Sequence, residues 1–255
     1  MEDFLKETEY CDFSHPKIKF VAEKITANLT SDKEKAVAIF YWVRDEIYYR
    51  VGFWNQKASK TLEEEKGTCT NSANLFIALC RSVGIPAGYY VLKVNGQQYF
   101  GPIVPKLIKK TISKESVHIH AGVFLNNKWI KCDPSDDYEI SQKTSHLNPQ
   151  SKLIDWDGEK NAVLNLEHEH IIKEEGPLTD IDRIISKKPK TAKGIIIKIG
   201  NLYIDFLRES GHNIKSVDEL ETQFREWIKK RQIFYYYIYL FASVLTAIRI
   251  KISNR

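Results

Sequence analysis

The chain has 255 residues, of which 43% are hydrophobic, 12% aromatic and 28% charged. This composition is too apolar for a disordered chain and allows one sizeable domain, or a compact domain with an extension. Its formal net charge of +5 is modest and gives no indication of a nucleic-acid partner. The four cysteines include no C-x-x-C pair and are too few for a disulfide framework. The acidic N-terminus MEDFLKETEYCDFSHP does not resemble a secretion signal, so we expect a cytoplasmic protein.

Two helices are predicted in the region 18–50. The segment IKFVAEKITANLT is followed by Ser31-Asp32-Lys33-Glu34, which has the serine and glutamate spacing of a capping box. Four apolar residues then recur at helical spacing, so one face of this helix should pack on the core: Ala36, Phe40, Val43 and Ile47.

A third helix is predicted from Cys69 to Val83, because Gly84 and Pro86 end it. Cys80 lies on the apolar face of this helix and is interpreted as a core residue. Cys69 lies at the first turn, where free backbone N–H groups and the helix dipole stabilise a thiolate. Gly67 would let the chain turn sharply into the helix. The sequence therefore indicates that Cys69 is a nucleophile, although a lone cysteine is more often an inert core residue.

Strands follow the helices, which favours an α+β fold class. GYYVLKV is the first predicted strand, and SVHIHAGVFL and KWIKCD form a hairpin about Asn126-Asn127. Pairing about this turn brings His120 opposite about Asp133. A thiolate nucleophile needs a base and a group that orients the base, so we predict a triad of Cys69, His120 and Asp133.

These residues also carry a resemblance to a known family. GTCTNSANLFIALCRSVGIPAG and HAGVFLNNKWIKCDPSDD resemble the core of the transglutaminase-like superfamily, with its G-x-C, G-I-P-A, H-A, W and D-P motifs in order. KAVAIFYWVRDEIYYRVGFW upstream and LIDWDGEKNA downstream extend the resemblance over about residues 18–158. It implies a papain-like α+β fold that needs no metal or other cofactor, with Cys69 as nucleophile, His120 as base and acid, and Asp133 as orienting group.

Two points of the resemblance are less regular. Many members have an aromatic residue two places after the catalytic histidine, whereas His120 is followed at that distance by Gly122. The backbone N–H of Cys69 is a natural oxyanion donor, and the resemblance makes the indole of Trp54 a further candidate, although a tryptophan is more often a core residue.

Other uses of the same residues are possible. His118 and His120 share a strand face and could bind zinc with Cys132 or Cys69, but such a site needs a fourth ligand and leaves the helix-start position of Cys69 unexplained. His118 is otherwise interpreted as a residue that supports the site or lies at the surface. Asp136 and Asp137 could replace Asp133, which matches better because it directly precedes a proline.

The C-terminal part is predicted to be mainly helical. We expect residues 1–160 to form the transglutaminase-like catalytic core, 161–192 an irregular wrapping segment with a basic linker, and 193–255 a helical extension. The apolar, tyrosine-rich run 233–248 is too short to cross a bilayer comfortably. We expect it to pack on the catalytic domain or on a partner subunit. Its basic flanks keep peripheral or C-terminal membrane attachment as the second interpretation.

The predicted chemistry is acyl transfer through a Cys69 thioester on a peptide or amide substrate. Hydrolysis by a cysteine peptidase or amidase is favoured. A transglutaminase or amide-ligating acyltransferase is the alternative, because the triad alone does not select water or an amine as acceptor. A non-catalytic binding module on the same fold is a third hypothesis, which the complete set of cysteine, histidine and aspartate disfavours. The sequence gives no oligomeric state.

Overall fold

The computed structural model describes residues 1–99, 103–110, 112–147, 153–163, 170–188 and 194–253. Helices come first in the chain and an antiparallel sheet follows, which confirms the predicted α+β class. The elements that precede the sheet are α1 (Pro16–Thr26), α2 (Asp32–Glu46), β1 (Tyr48–Tyr49), α3 (Ala58–Glu64), β2 (Lys66–Gly67) and α4 (Cys69–Ser82).

The main sheet has four strands in the order β5-β4-β3-β6, and every neighbouring pair is antiparallel. Its strands are β3 (Ala87–Asn95), β4 (Glu115–Leu125), β5 (Lys128–Cys132) and β6 (Ile171–Leu178). The short helices α5 (Gly96–Tyr99) and α6 (Lys106–Lys109) lie between β3 and β4, and α7 (Tyr138–Thr144) follows β5. The main core lies between the first helices and one face of this sheet, where Phe40, Phe76 and Ile119 are fully buried.

Local sequence signals account for most of these boundaries. Ser31 and Glu34 form the predicted capping box of α2, since the Glu34 N–H donates to Ser31 Oγ and the Ser31 N–H donates to Glu34 Oε2. The turn residues Asn126 and Asn127 both have positive φ, at 50° and 62°, as a tight hairpin turn between β4 and β5 requires. The end of α4 is fixed by Gly84, whose φ of 82° favours glycine.

One predicted segment is more regular than expected. The region 161–192 was expected to be irregular, but residues 171–178 form β6 at the edge of the sheet. Its sequence IIKEEGPL has no alternating apolar pattern because most of its side chains are exposed on this edge strand. The predicted basic linker at Lys187–Lys193 lies mostly outside the described residues.

The C-terminal part is helical, as predicted. After α8 (Asp182–Ser186) it contains α9 (Ile195–Ser210), α10 (Val217–Arg231) and α11 (Ile233–Ser253). These helices form a second apolar cluster, in which Tyr239 of α11 is fully buried and its ring meets that of Phe224 edge to face at 5.3 Å. Among the described residues, none of the helices combines the length and apolarity that a membrane crossing requires.

Gly67 provides a test of how the chain enters α4. A methyl group added at Gly67 would lie 2.5 Å from Cβ of Asn71, which is too close for two carbon atoms. We expect Gly67→Ala to lower the free energy of unfolding by about 1–3 kcal/mol, measured by urea denaturation. The requirement at this position is space beside Asn71, rather than the conformational freedom that the sequence suggested.

Gly200→Ala is the matched control. Gly200 lies inside α9, and an added Cβ there would meet its nearest neighbour, Val51 Cγ2, at an ordinary distance of 3.6 Å. We expect this substitution to raise the free energy of unfolding by up to about 1 kcal/mol, because alanine favours a helix more than glycine does. Equal stability changes in the two variants would contradict the steric argument.

Candidate active site

The start of α4 holds Cys69 in a fixed place. The Thr68 N–H and hydroxyl both donate to Asn71 Oδ1, each at 2.8 Å, so the side chain of Asn71 caps this helix. The preceding strand β2 pairs in parallel with β1, and the Arg50 N–H donates to Gly67 O at 2.8 Å. Cys69 is partly exposed, whereas the other three cysteines, Cys11, Cys80 and Cys132, are buried. Cys69 is therefore the cysteine of the four with access to solvent.

His118 is the histidine that lies between Cys69 and Asp133. Its Nε2 is 2.6 Å from Asp133 Oδ2, and both side chains are almost completely buried. The imidazole also hydrogen-bonds with the Cys69 sulfur, which receives a further hydrogen bond from the Ile119 N–H. Since Nε2 is occupied by Asp133, Nδ1 is the nitrogen left for Cys69. The structure thus joins Cys69, His118 and Asp133 in one hydrogen-bonded series.

The positive charge of His118 stabilises the negative groups on either side of it and is stabilised by them. Burial alone would raise the pKa of the Cys69 thiol, but the positive charge and hydrogen bond of His118 hold it below its ordinary value. Burial alone would lower the pKa of His118, but the carboxylate of Asp133 and the thiolate of Cys69 raise it to about 10. Burial likewise opposes ionisation of Asp133, yet His118 lowers its pKa. At neutral pH the site therefore favours a thiolate–imidazolium pair beside a carboxylate.

Two contacts hold Asp133 in position. Ser135 donates to its Oδ1 through both its N–H, at 3.1 Å, and its hydroxyl, at 2.6 Å. The Asp133 N–H leaves the strand ladder and donates to Ala162 O at 2.9 Å. The carboxylate consequently keeps Oδ2 for His118.

His120 occupies a different position from the one predicted. Its ring stacks on that of Tyr90 at 5.4 Å, and its Nε2 is 3.6 Å from Glu174 Oε1. Burial lowers the pKa of His120 to about 3, so the ring is neutral. The predicted hairpin register is present, because Ala121 pairs with Cys132, but β5 ends at Cys132. Asp133 is therefore released from the ladder and contacts the diagonal neighbour His118 rather than His120.

The remaining candidates lie apart from this hydrogen-bonded series. Asp136 accepts the Ile154 N–H and the Ser141 hydroxyl, and burial raises its pKa to about 6. Asp137 caps α7 by accepting the Ile140 N–H at 3.0 Å. Trp54 is half-buried in the segment 50–57 between β1 and α3, and its role as an oxyanion donor stays a prediction.

The zinc alternative has only part of the geometry it needs. Among the described residues, one potential ligand atom each from His118, His120 and Asp133 lies within 4.8 Å of the others. The Nε2 atom of His118 and the carboxylate of Asp133 are, however, already hydrogen-bonded to each other. Cys132 pairs with Ala121 and so lies on the opposite face of the hairpin from the two histidines.

Tyr49 is a neighbour of Cys69 that the sequence did not single out. It pairs with Gly67 in the β1–β2 ladder, two residues before Cys69. Burial and the negative charge of Cys69 raise the pKa of its phenol, so the hydroxyl keeps its proton at neutral pH. Two-residue strands such as β1 carry no periodic pattern, so no signal in the sequence could place Tyr49 near Cys69.

A known protein family matches the part of the chain that carries this site. Residues 19–134 match the family model of the transglutaminase-like superfamily, and the match includes Cys69, His118 and Asp133. This segment is a transglutaminase-like core. The resemblance inferred from the sequence motifs is thereby confirmed over the elements from α1 to β5.

A curated relative matches about half of the chain. An uncharacterized protein of Mycobacterium leprae (strain TN) is 27% identical over 145 residues, which is 56% of this chain. The chain spans about half the length of this curated relative, at 48%.

Two solved structures are also similar. A candidate cysteine protease from Cytophaga hutchinsonii is 25% identical, with a TM-score of 0.42 over 52% of this chain and 40% of its own. A candidate protease from Parabacteroides distasonis is 14% identical, with a TM-score of 0.36 over 51% of this chain and 24% of its own.

The family pattern explains His120 once His118 is taken as the base. The aromatic position two places after the catalytic histidine is then filled by the imidazole ring of His120. Gly122 is no longer a departure, and it has its own reason, because a Cβ there would lie 2.5 Å from the ring of Tyr90. The mismatch at Gly122 is therefore a signal in the sequence that favours His118 over His120 as the candidate base.

Helix α9 supports the transglutaminase-like core from outside the matched segment. Arg208 of α9 donates to Asp137, which also accepts the Tyr49 N–H at 2.9 Å. On the same helix, Asn201 exchanges two hydrogen bonds of 3.0 Å with the backbone of Val51. Strand β1 therefore pairs with β2 along one edge. Asp137, which Arg208 of α9 binds, accepts the Tyr49 N–H of β1, and α9 also bonds the backbone of Val51 just after this strand.

An alkylation titration tests the ion pair at Cys69. We expect iodoacetamide to alkylate Cys69 well below the ordinary thiol pKa of about 8.5, because His118 stabilises the thiolate. Reactivity should be lost only when the pH falls through this lowered pKa. In His118→Gln the positive charge is gone and burial remains, so the alkylation profile should move to higher pH. The rate is read by mass spectrometry of the Cys69 peptide.

His120→Gln is the matched control for this titration. Because the ring of His120 is neutral at the pH values concerned, its replacement should shift the Cys69 profile much less than His118→Gln does. Cys80 and Cys132 give an internal reference, since burial raises their pKa values and limits access to the reagent. An ordinary thiol profile for Cys69, or equal shifts in both variants, would contradict the assignment of His118.

Removal of Arg208 tests the support from α9. Arg208→Gln would leave the carboxylate of Asp137, of which only 6% of the side chain is exposed, without its cation. We expect a loss of about 3–5 kcal/mol in the free energy of unfolding, measured by urea denaturation. Arg231→Gln is the control, because its pair with Glu209 is exposed and should contribute about 1 kcal/mol or less. Similar losses in the two variants would show that burial of the Arg208 pair is unimportant.

Proposed function

We propose that this protein is a cysteine hydrolase that cleaves a peptide or amide bond through a thioester on Cys69. The observation that carries the proposal is the buried hydrogen-bonded series of Cys69, His118 and Asp133 at the start of α4. In the proposal Cys69 is the nucleophile, His118 the general base and acid, and Asp133 the group that orients His118.

The first half of the proposed reaction forms the acyl-enzyme. The Cys69 thiolate attacks the carbonyl carbon, and the carbon–sulfur bond forms as the carbonyl π electrons move to oxygen. The backbone N–H of Cys69, with Trp54 as a further candidate, would stabilise this oxyanion. The carbon–nitrogen bond then breaks, and the His118 imidazolium gives its proton to the departing amine. The products of this step are the thioester, the free amine and neutral His118.

The second half returns the enzyme to its starting state. A water molecule attacks the thioester carbon while His118 accepts one of its protons. The carbon–sulfur bond breaks, the acid leaves, and the thiolate is restored beside the imidazolium. Asp133 keeps one ring nitrogen occupied throughout, so the other nitrogen always faces the reacting atoms.

Trapping of the thioester tests the proposal. We expect intact-mass measurement after exposure to a peptide and amide library to show an acyl adduct on the wild-type protein and none on Cys69→Ala. His118→Gln should lower the hydrolytic rate by about 10²- to 10⁴-fold, because general acid and base catalysis is lost. His120→Gln should have an effect of about tenfold or less, because this ring contacts neither the sulfur nor the proton that moves.

The acceptor is tested in the same assay. Addition of a primary amine should leave the free acid as the main product if water is the acceptor. A product that carries the amine would instead assign the protein to the transferases. A reactive Cys69 that forms no adduct with any member of the library would overturn the catalytic proposal and favour a binding module.

A further inference from the structure

Helix α11 presents a stripe of large apolar side chains to solvent. The stripe consists of Ile233, Phe234, Tyr237 and Phe241, whose exposed fractions are 52%, 65%, 61% and 67%. At 3.6 residues per turn these four positions fall within an arc of about 100° on one side of the helix. Tyr239 lies on the opposite side and is fully buried against α10. The stripe is therefore the outer face of a helix whose inner face is already packed.

The charged residues of the sequence segment that carries the stripe are all basic. Lys229, Lys230 and Arg231 end α10 directly before it, and all three are exposed. From Trp227 to the end of the given sequence there are six lysines and arginines and no aspartate or glutamate. Arg231 is paired with Glu209, at 2.7 Å, which leaves the excess of positive charge on the remaining residues of this segment.

These observations select one kind of partner. We propose that the stripe of α11 and its basic flanks bind the surface of a membrane that contains anionic lipids, with the helix lying in the plane of the interface. Phenylalanine and tyrosine are suited to the boundary between head groups and acyl chains, and lysines beside them are attracted by anionic head groups. A second copy of the chain would bring an equally positive segment against this one.

The proposal goes beyond the proposed function and is independent of it. A helix that lies in the interface needs only one apolar face, so α11 can stay packed on α10 when the stripe binds. Because no helix in the described ranges is built to cross a bilayer, the contact would be a surface one.

Vesicle binding by the full chain tests the proposal. We expect the protein to sediment with vesicles of phosphatidylcholine mixed with phosphatidylglycerol, more weakly with phosphatidylcholine alone, and less as salt increases. Phe234→Ser combined with Phe241→Ser should lower partitioning into the mixed vesicles about tenfold or more. Lys229→Gln combined with Lys230→Gln should weaken binding to the mixed vesicles only.

Phe20→Ser is the matched control. Phe20 lies on α1 and is 66% exposed, so its loss removes a comparable apolar side chain from another part of the surface. We expect this variant to bind vesicles as the wild-type protein does. Circular dichroism should show the same helix content in all variants, since each substituted side chain is exposed.

Three outcomes would overturn the proposal. They are no binding of the wild-type protein at low salt, equal binding of the wild type and the Phe234→Ser/Phe241→Ser variant, and a loss of binding in Phe20→Ser as large as in that variant. Sedimentation equilibrium without lipid would identify a second copy as the partner if it detected a dimer that the double substitution abolishes. No readout depends on catalysis, so failure here is distinct from failure of the proposed function.

Discussion

The hydrogen bond between His118 Nε2 and Asp133 Oδ2 is the interaction on which the candidate site depends. The carboxylate of Asp133 is buried, and burial makes its ionisation costly. The positive charge of His118 and the two hydrogen-bond donors of Ser135 compensate this cost. The same bond fixes the imidazole so that its other nitrogen serves Cys69. The state of the thiol is thus set by a carboxylate that does not itself reach the sulfur.

The position of Cys69 is determined by backbone constraints rather than by its own packing. Asn71 uses one oxygen to hold two donors of Thr68, and Gly67 leaves room for that side chain. The N–H of Ile119 then bonds the sulfur, which ties the first turn of α4 to β4 next to His118. A helix start and a strand that are distant in sequence meet at this one atom, so the thiolate is stabilised from both sides.

Much of this arrangement could be predicted because it rests on local rules. The capping box at Ser31, the span of α4, the turn at Asn126-Asn127 and the hairpin register all follow from short-range signals, and each is present. The register favours His120, which it places opposite Asp133, but both histidines lie on one strand face and the register alone does not settle the choice between them. It was decided where β5 stops, which frees Asp133 to contact a diagonal neighbour. Strand ends depend on long-range bonds such as the one to Ala162, and the pattern of a strand does not reveal these.

The C-terminal helices also help to position Cys69. Arg208 of α9 bonds Asp137, which accepts the Tyr49 N–H of β1. Asn201 of the same helix bonds the backbone of Val51 just after β1. Strand β1 in turn pairs with β2, which leads into Cys69. A two-residue strand that pairs with only one neighbour makes few hydrogen bonds, so contacts from outside the transglutaminase-like core help to offset the entropy lost when this segment is ordered. Asp137 meets this need with one buried carboxylate that caps α7, accepts the Tyr49 N–H and pairs with Arg208. A buried carboxylate costs free energy unless all its partners are present. The position of β1 therefore depends on the contact between Arg208 of α9 and Asp137, and the position of Cys69 depends on β1 through β2.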